Sequence, residues 1–160
     1  RVGRNSCRFG CIKFRTMYPE ADDLLSNLLT KSPSLRLEFD RDFKLRKDPR
    51  ITPIGRLLRR SSLDELPQLV NVIFGDMSLV GPRPIVEKEM QKYGDYMGAV
   101  LSVRPGLTGL WQVSGRNNLS YKRRVELDLI YSRERTIVLD IRVIIRTFGV
   151  LLFPMDRGAY

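Results

Sequence analysis

Between Ser62 and Pro84 the chain reads SLDELPQLVNVIFGDMSLVGPRP, and no other stretch restricts the fold as much. Pro67 biases Leu66 away from helix. A helix here therefore has two possible starts. One is at Ser61–Ser62, with Glu65 completing a capping box; the other is at Pro67, with PQLVNVIF as its body. In both registers the adjacent carboxylates Asp64 and Glu65 sit near a helix N-terminus, where the dipole favours their ionised forms. The turn-rich segment 75–84 that follows reads as a loop ending in Gly-Pro-Arg-Pro. Prolines on both sides of Arg83 restrict the backbone and pre-organise one guanidinium at low entropic cost.

Two adjacent carboxylates repel, so a cation is expected beside them. Arg56, Arg59 and Arg60 lie just upstream and Arg83 downstream; a divalent metal would serve as well. Arginines that hold phosphate oxygens, with carboxylates that bind a metal or attack phosphorus, are the parts of a phosphoryl-transfer site. The plain alternative is a helix cap with a surface acid and a solvated arginine in a stiff loop.

Composition narrows the choice. The 160 residues suffice for one domain with a real core. A formal net charge of +10 points to an anionic partner: nucleic acid, an anionic membrane surface or a phosphorylated substrate. Residues 1–60 carry most of the excess, which suggests a basic face rather than an even coat. There is no histidine, which excludes Ser-His-Asp and Cys-His catalysis and removes the commonest zinc ligand. Cys7 and Cys11 have no further thiolates to complete a metal site and read as reduced structural thiols. No run of about 20 apolar residues is present to span a bilayer. The chain starts at Arg1 rather than methionine, so it is expected to be part of a longer protein. It has neither GxGxxG nor a Walker loop.

Periodicity supplies a coarse map. Residues 8–17 are rich in β-formers and read as a strand or hairpin arm. Helices are predicted from Pro19 to about Leu29, over 34–46, from Ile54 to Arg60, over 85–98, over 120–135 and over 136–152. Residues 104–118 read as loop with short strand segments. In the last helix Ile137, Ile141, Ile144, Ile145, Phe148 and Leu152 form an apolar side opposite Arg135, Arg142 and Arg146. Such a helix serves either as a core element or as an in-plane membrane helix. Lys13 and Arg15 share one side of the predicted strand. Gly106 and Gly109 allow close approach of a ligand to the backbone. Trp111 fits a core aromatic or a stacking platform, and Gln112, Arg116 and Asn117 offer polar groups in a loop.

Taken together, KFRTM (13–17), the 62–84 run, RPGLTGLWQVSGRN (104–117) and the terminal RGAY (157–160) resemble the bacterial sugar transferases. These are monotopic phosphoglycosyl transferases acting on polyprenyl phosphate. The match is nearly end to end, and it looks most like the branch of undecaprenyl-phosphate galactose or glucose phosphotransferases. The resemblance implies transfer of a hexose-1-phosphate from a UDP-sugar to undecaprenyl phosphate, with release of UMP, as the initiating step of O-antigen, capsule or exopolysaccharide assembly. It implies Asp64 as nucleophile through an aspartyl-phosphosugar intermediate, and Glu65 as ligand of Mg²⁺. Arg59 and Arg83 would hold phosphate, with Lys13 as a cation near the same site; Gln112 and Arg116 join the candidate substrate-binding set.

The resemblance further implies a helix-dominated α+β catalytic domain over 1–160, with a small β element and several amphipathic interfacial helices. A re-entrant membrane hairpin would precede Arg1. The expected place is the cytoplasmic face of the bacterial inner membrane. Expected partners are a UDP-sugar, polyprenyl phosphate and an anionic membrane surface, with no nucleic acid; the oligomeric state is open, a homodimer included. A non-catalytic basic module on nucleic acid or anionic membrane is the competing reading. It has no account of the carboxylate pair beside Gly-Pro-Arg-Pro.

Overall fold

The computed structural model describes residues 1–43, 45 and 47–152; the RGAY motif lies outside them. The fold is α+β and helix-dominated, with one small parallel sheet among the described residues. The chain groups into two compact units, residues 14–64 and residues 1–13 with 65 onward.

The unit of residues 14–64 is built from α1 (Ala21–Lys31), α2 (Pro33–Asp42) and α3 (Pro53–Ser61). Asp22 and Asp23 in the first turn of α1 and Lys31 in its last complement the helix dipole. Pro33 starts α2, and Phe43 ends it in a left-handed conformation at φ 53°. That end comes earlier than the predicted 34–46 span, of which Lys44 and Arg46 lie outside the described residues. Thr52 caps α3, its hydroxyl accepting from Gly55 N–H at 2.9 Å. Ser62, at φ 58°, closes the same helix with its N–H directed back to the carbonyls of Leu58 and Arg59. Ser62 closes α3, a 3-10 turn over Leu63–Glu65 follows it directly, and the α-helix of this region starts after Pro67. Thr16 is the inner wall of this unit. Its carbonyl accepts from Thr52 N–H at 3.0 Å, and its backbone lies so close to Gly55 that a Cβ there would collide. A buried fork between Arg50 and Asp48, at 2.8 and 2.6 Å, satisfies both charges.

The other unit carries α4 (Gln68–Ile73), β1 (Ser78–Val80), α5 (Glu87–Tyr93), α6 (Met97–Leu101), β2 (Gly106–Thr108), α7 (Leu110–Ser114), α8 (Tyr121–Glu134) and α9 (Ile137–Leu152). β1 and β2 pair in parallel, Ser78 with Gly106 and Val80 with Thr108. Strand β1 lies inside the segment predicted as loop, and α7 inside the segment predicted as loop and strand. Both are too short to show a period. The strand predicted over 8–17 does not form: Val2 makes isolated bridges to Arg8 and Ile85, and Met17 makes one to Ile51.

Two small cores hold this unit. One gathers Val2, Ile85, Tyr93, Val100, Leu101 and Val125; the other gathers Val80, Tyr131 and Val143. Helix α9 packs through Val143, Leu139 and Ile144. Ile137, Ile141, Ile145 and Phe148, read from sequence as the same apolar face, are exposed instead. A helix has room for both faces here because its apolar residues exceed one stripe.

Candidate active site

The sheet and its flanking loops require backbones to meet closely. A Cβ on Gly106 would strike the Gly81 backbone, and one on Gly109 would strike the Gly81 carbonyl. This convergence explains why VGPRP and RPGLTG carry glycine where they do. It brings the Arg83 loop beside β2, and there Arg83, Pro84, Gly106 and Leu107 share one pocket with Lys13, Glu65, Gln68 and Gln112.

Four of the seven residues singled out from sequence, Lys13, Glu65, Arg83 and Gln112, thus line a single pocket. Lys13 Nζ lies 3.5 Å from Glu65 Oε1, with each side chain about one-third exposed (33% and 37%). Arg116, at φ 53°, has its guanidinium pKa lowered by burial, while the charge of Glu65 opposes that shift. Glu65 therefore has two cations in its field. Asp64 is buried in the 3-10 turn Leu63–Glu65, and its carbonyl accepts from Phe14 N–H at 3.0 Å. Arg59, in the last turn of α3, donates from Nε to Thr16 Oγ1 at 2.9 Å. Arg15, paired with Lys13 in the sequence pattern, is exposed.

Trp111 is a core residue, 4% exposed. The guanidinium of Arg83 lies 5.9 Å from its ring centre and that of Arg124 5.3 Å, distances at which the ring quadrupole attracts both. Behind Arg83 stands Asp128, buried on α8. Its Oδ2 accepts from Tyr93 Oη–H at 3.0 Å. Burial pushes its carboxyl up to about 8, against the hydrogen bond from Tyr93 and the charge and backbone of Arg83, which favour ionisation. Its other oxygen, Oδ1, is buried without a hydrogen-bond partner.

Sequence reasoning missed three residues of this site. Gln68 lines the pocket and is 3% exposed. Asn71 donates to the Gly10 carbonyl at 2.7 Å and accepts from Ile12 N–H at 3.0 Å, pinning the extended segment that leads into Lys13. Asp128 is the third. Their common signal was a polar residue inside an apolar helical pattern, which two of them show in QLVNVI.

Among the described residues no group of three or more Asp, Glu, His or Cys side chains gathers to hold a metal. That does not conflict with Mg²⁺, which usually binds one or two carboxylates together with substrate phosphates rather than an all-protein cage. Glu65, on the wall of a pocket with cationic groups for phosphate, fits such a shared set.

The sequence profile of the bacterial sugar transferases matches residues 1–154. The chain belongs to the bacterial sugar transferase family. Among its curated relatives, the undecaprenyl-phosphate galactose phosphotransferase of Salmonella typhimurium is 51% identical over all 160 residues, which cover 33% of that protein. The exopolysaccharide production protein ExoY of Sinorhizobium fredii is 44% identical over the whole chain, which covers 70% of it. The undecaprenyl-phosphate glucose phosphotransferase of Komagataeibacter xylinus is 41% identical, again over the whole chain and 29% of the relative. This sugar-transferase chain spans about a third of the length of several relatives it matches.

Proposed function

We propose that this sugar-transferase chain transfers a hexose-1-phosphate from a UDP-sugar to undecaprenyl phosphate, releasing UMP. The observation that carries the reading is the shared pocket of Lys13, Glu65, Arg83 and Gln112 in a chain of this family. Relatives at up to about half identity are named for phosphotransfer to this lipid.

In the first step a carboxylate oxygen of Asp64 bonds to the β-phosphorus. The bond from that phosphorus to the bridging oxygen breaks, and UMP leaves with the electron pair. In the second step an oxygen of the lipid phosphate attacks the same phosphorus and the aspartyl oxygen departs. The product is the lipid diphosphate-linked sugar, with Asp64 restored. Charge is the main barrier, because a carboxylate must approach a diphosphate. Lys13 and Arg83 on the pocket wall supply positive charge for the phosphate oxygens, with Arg116 near Glu65; Arg59 is assigned to phosphate by the family resemblance alone. Glu65 would hold Mg²⁺, which when bound neutralises charge on the diphosphate. Gln112 and Gln68 offer neutral amides for hydroxyl or carbonyl groups of the donor.

The lipid acceptor places the work at a membrane surface. No helix among the described residues is long and apolar enough to cross a bilayer. Exposed apolar groups on α9 flanked by Arg142 and Arg146, and Ile73 and Phe74 at 81% and 78% exposure, suit contact with an anionic lipid surface instead. The test is UMP release from a panel of UDP-sugars, measured with undecaprenyl phosphate, Mg²⁺ and the full-length protein in detergent. Asp64→Asn is expected to abolish release. Full turnover by that variant would remove the covalent step, and no release from any donor would remove the reading.

A further inference from the structure

Helix α7 is only five residues long and is anchored along its length. Trp111 is buried, and Leu110 and Val113 pack against the core of Val80, Tyr131 and Val143. Gln112 is thereby held on the pocket wall. Its Oε1 is buried and has no hydrogen-bond partner. Among the described residues one other buried side-chain atom shares that condition, Asp128 Oδ1, and Asp128 does not line the pocket. A Cβ built on Gly109 would collide with Gln112 Oε1 as well as with the Gly81 carbonyl, so two acceptors lie around one point. A buried acceptor without a donor weakens the folded state, and departures of this kind concentrate at functional sites. Arg1, Lys13, Glu65 and Arg83 give the pocket wall its charge, and Gln68 and Gln112 are its amides. Ionised phosphate oxygens only accept hydrogen bonds, as Oε1 does. A phosphate therefore cannot supply what Gln112 lacks, whereas a hydroxyl or an N–H can.

We propose that Gln112 Oε1 is the acceptor for a hydroxyl or N–H adjoining the phosphates of the ligand, so that Gln112 selects for the neutral part of that ligand and leaves its phosphates to Lys13 and Arg83. The donor group can belong to the hexose or to the nucleoside; the chemistry at Oε1 is the same. The identity of the ligand as a UDP-sugar rests on the function proposed above, and the need for a donor group at Oε1 does not. Two effects of opposite sign follow. Removing the amide relieves the unliganded protein of an unsatisfied buried group, and it costs the complex a hydrogen bond. A merely structural glutamine would behave in the contrary way, its loss lowering stability and leaving ligand choice alone.

The test needs no turnover. Gln112→Met keeps the length of the side chain and removes the amide. In the full-length protein in detergent its melting temperature should not fall, and a rise of about 2 °C is expected. Calorimetry with Mg²⁺ at about pH 8 then compares three probes: inorganic pyrophosphate, galactose 1-phosphate and UMP. Pyrophosphate should bind within about twofold of the wild type, while galactose 1-phosphate, UMP or both bind about tenfold more weakly. A loss confined to galactose 1-phosphate assigns the donor group to the hexose, and one confined to UMP assigns it to the nucleoside. A melting temperature lowered by several degrees, a pyrophosphate affinity that falls with the others, or unchanged affinity for all three would overturn the proposal. So would a wild type that binds neither galactose 1-phosphate nor UMP. A protein that gives the expected pattern but turns over no UDP-sugar would sink only the transferase reading. A wild type that releases UMP beside a variant that melts and binds as the wild type does would sink only the role of Gln112.

Discussion

Lys13 Nζ and Glu65 Oε1 stand 3.5 Å apart among the residues that line the pocket, in partial contact with solvent. An ion pair this exposed contributes little to stability, about 0–1 kcal/mol. In the proposed reaction its place on the pocket wall puts both charges within reach of the donor's diphosphate. Glu65→Gln is expected to leave the denaturation midpoint nearly unchanged while lowering UMP release by roughly 10²–10³. Lys13→Met should mainly raise KM for the sugar nucleotide. Steady-state kinetics beside urea denaturation separates these outcomes.

Gly81 and Gly106 meet backbone to backbone between β1 and β2. Gly106→Ala forces those strands apart, with an expected loss of roughly 1–3 kcal/mol and of activity, since Gly106 lines the pocket. Gly149 is the contrasting case: a Cβ there meets nothing within 4 Å, inside helix α9. Gly149→Ala should stabilise the chain by about 0.5–1 kcal/mol. Equilibrium unfolding in urea compares the two.

Asp128 predicts a pH dependence of stability with a definite sign. Burial raises its folded pKa from 3.8 to about 8. Between those values the folded chain keeps a proton that the unfolded chain has released. Stability from this group is therefore present below the unfolded pKa and lost as pH rises toward 8, at up to about 1.4 kcal/mol per pH unit. Asp128→Asn should flatten the profile between pH 5 and 8. An unchanged slope in that variant would assign the dependence to other groups.

On α9, Ile145 and Phe148 are exposed at 65% and 60%. Replacing both with Asp should weaken binding to phosphatidylglycerol vesicles at least tenfold with little change in melting temperature, because neither side chain is in the core. Co-sedimentation with vesicles at two salt concentrations measures this.

Much of the helical framework was legible in the chain. α1, α3, α8 and α9 follow from their caps and periodicity; Glu65 and Arg83 are singled out by residue type and spacing, Lys13 by the family resemblance, and the three line one pocket. Local rules sufficed there because caps and turns act within a few residues. They failed for β1 and α7; β2 falls inside the segment read as loop with short strands, but its pairing with β1 depends on Gly81 and Gly106 letting distant segments touch. The division of α9 into a buried stripe through Val143 and an exposed one through Ile145 likewise depends on which neighbours arrive. Tertiary structure alone decided that Gln68, Asn71 and Asp128 belong with the site. Their side chains gain meaning from burial and from partners up to 61 residues away, and no local pattern encodes such a distance.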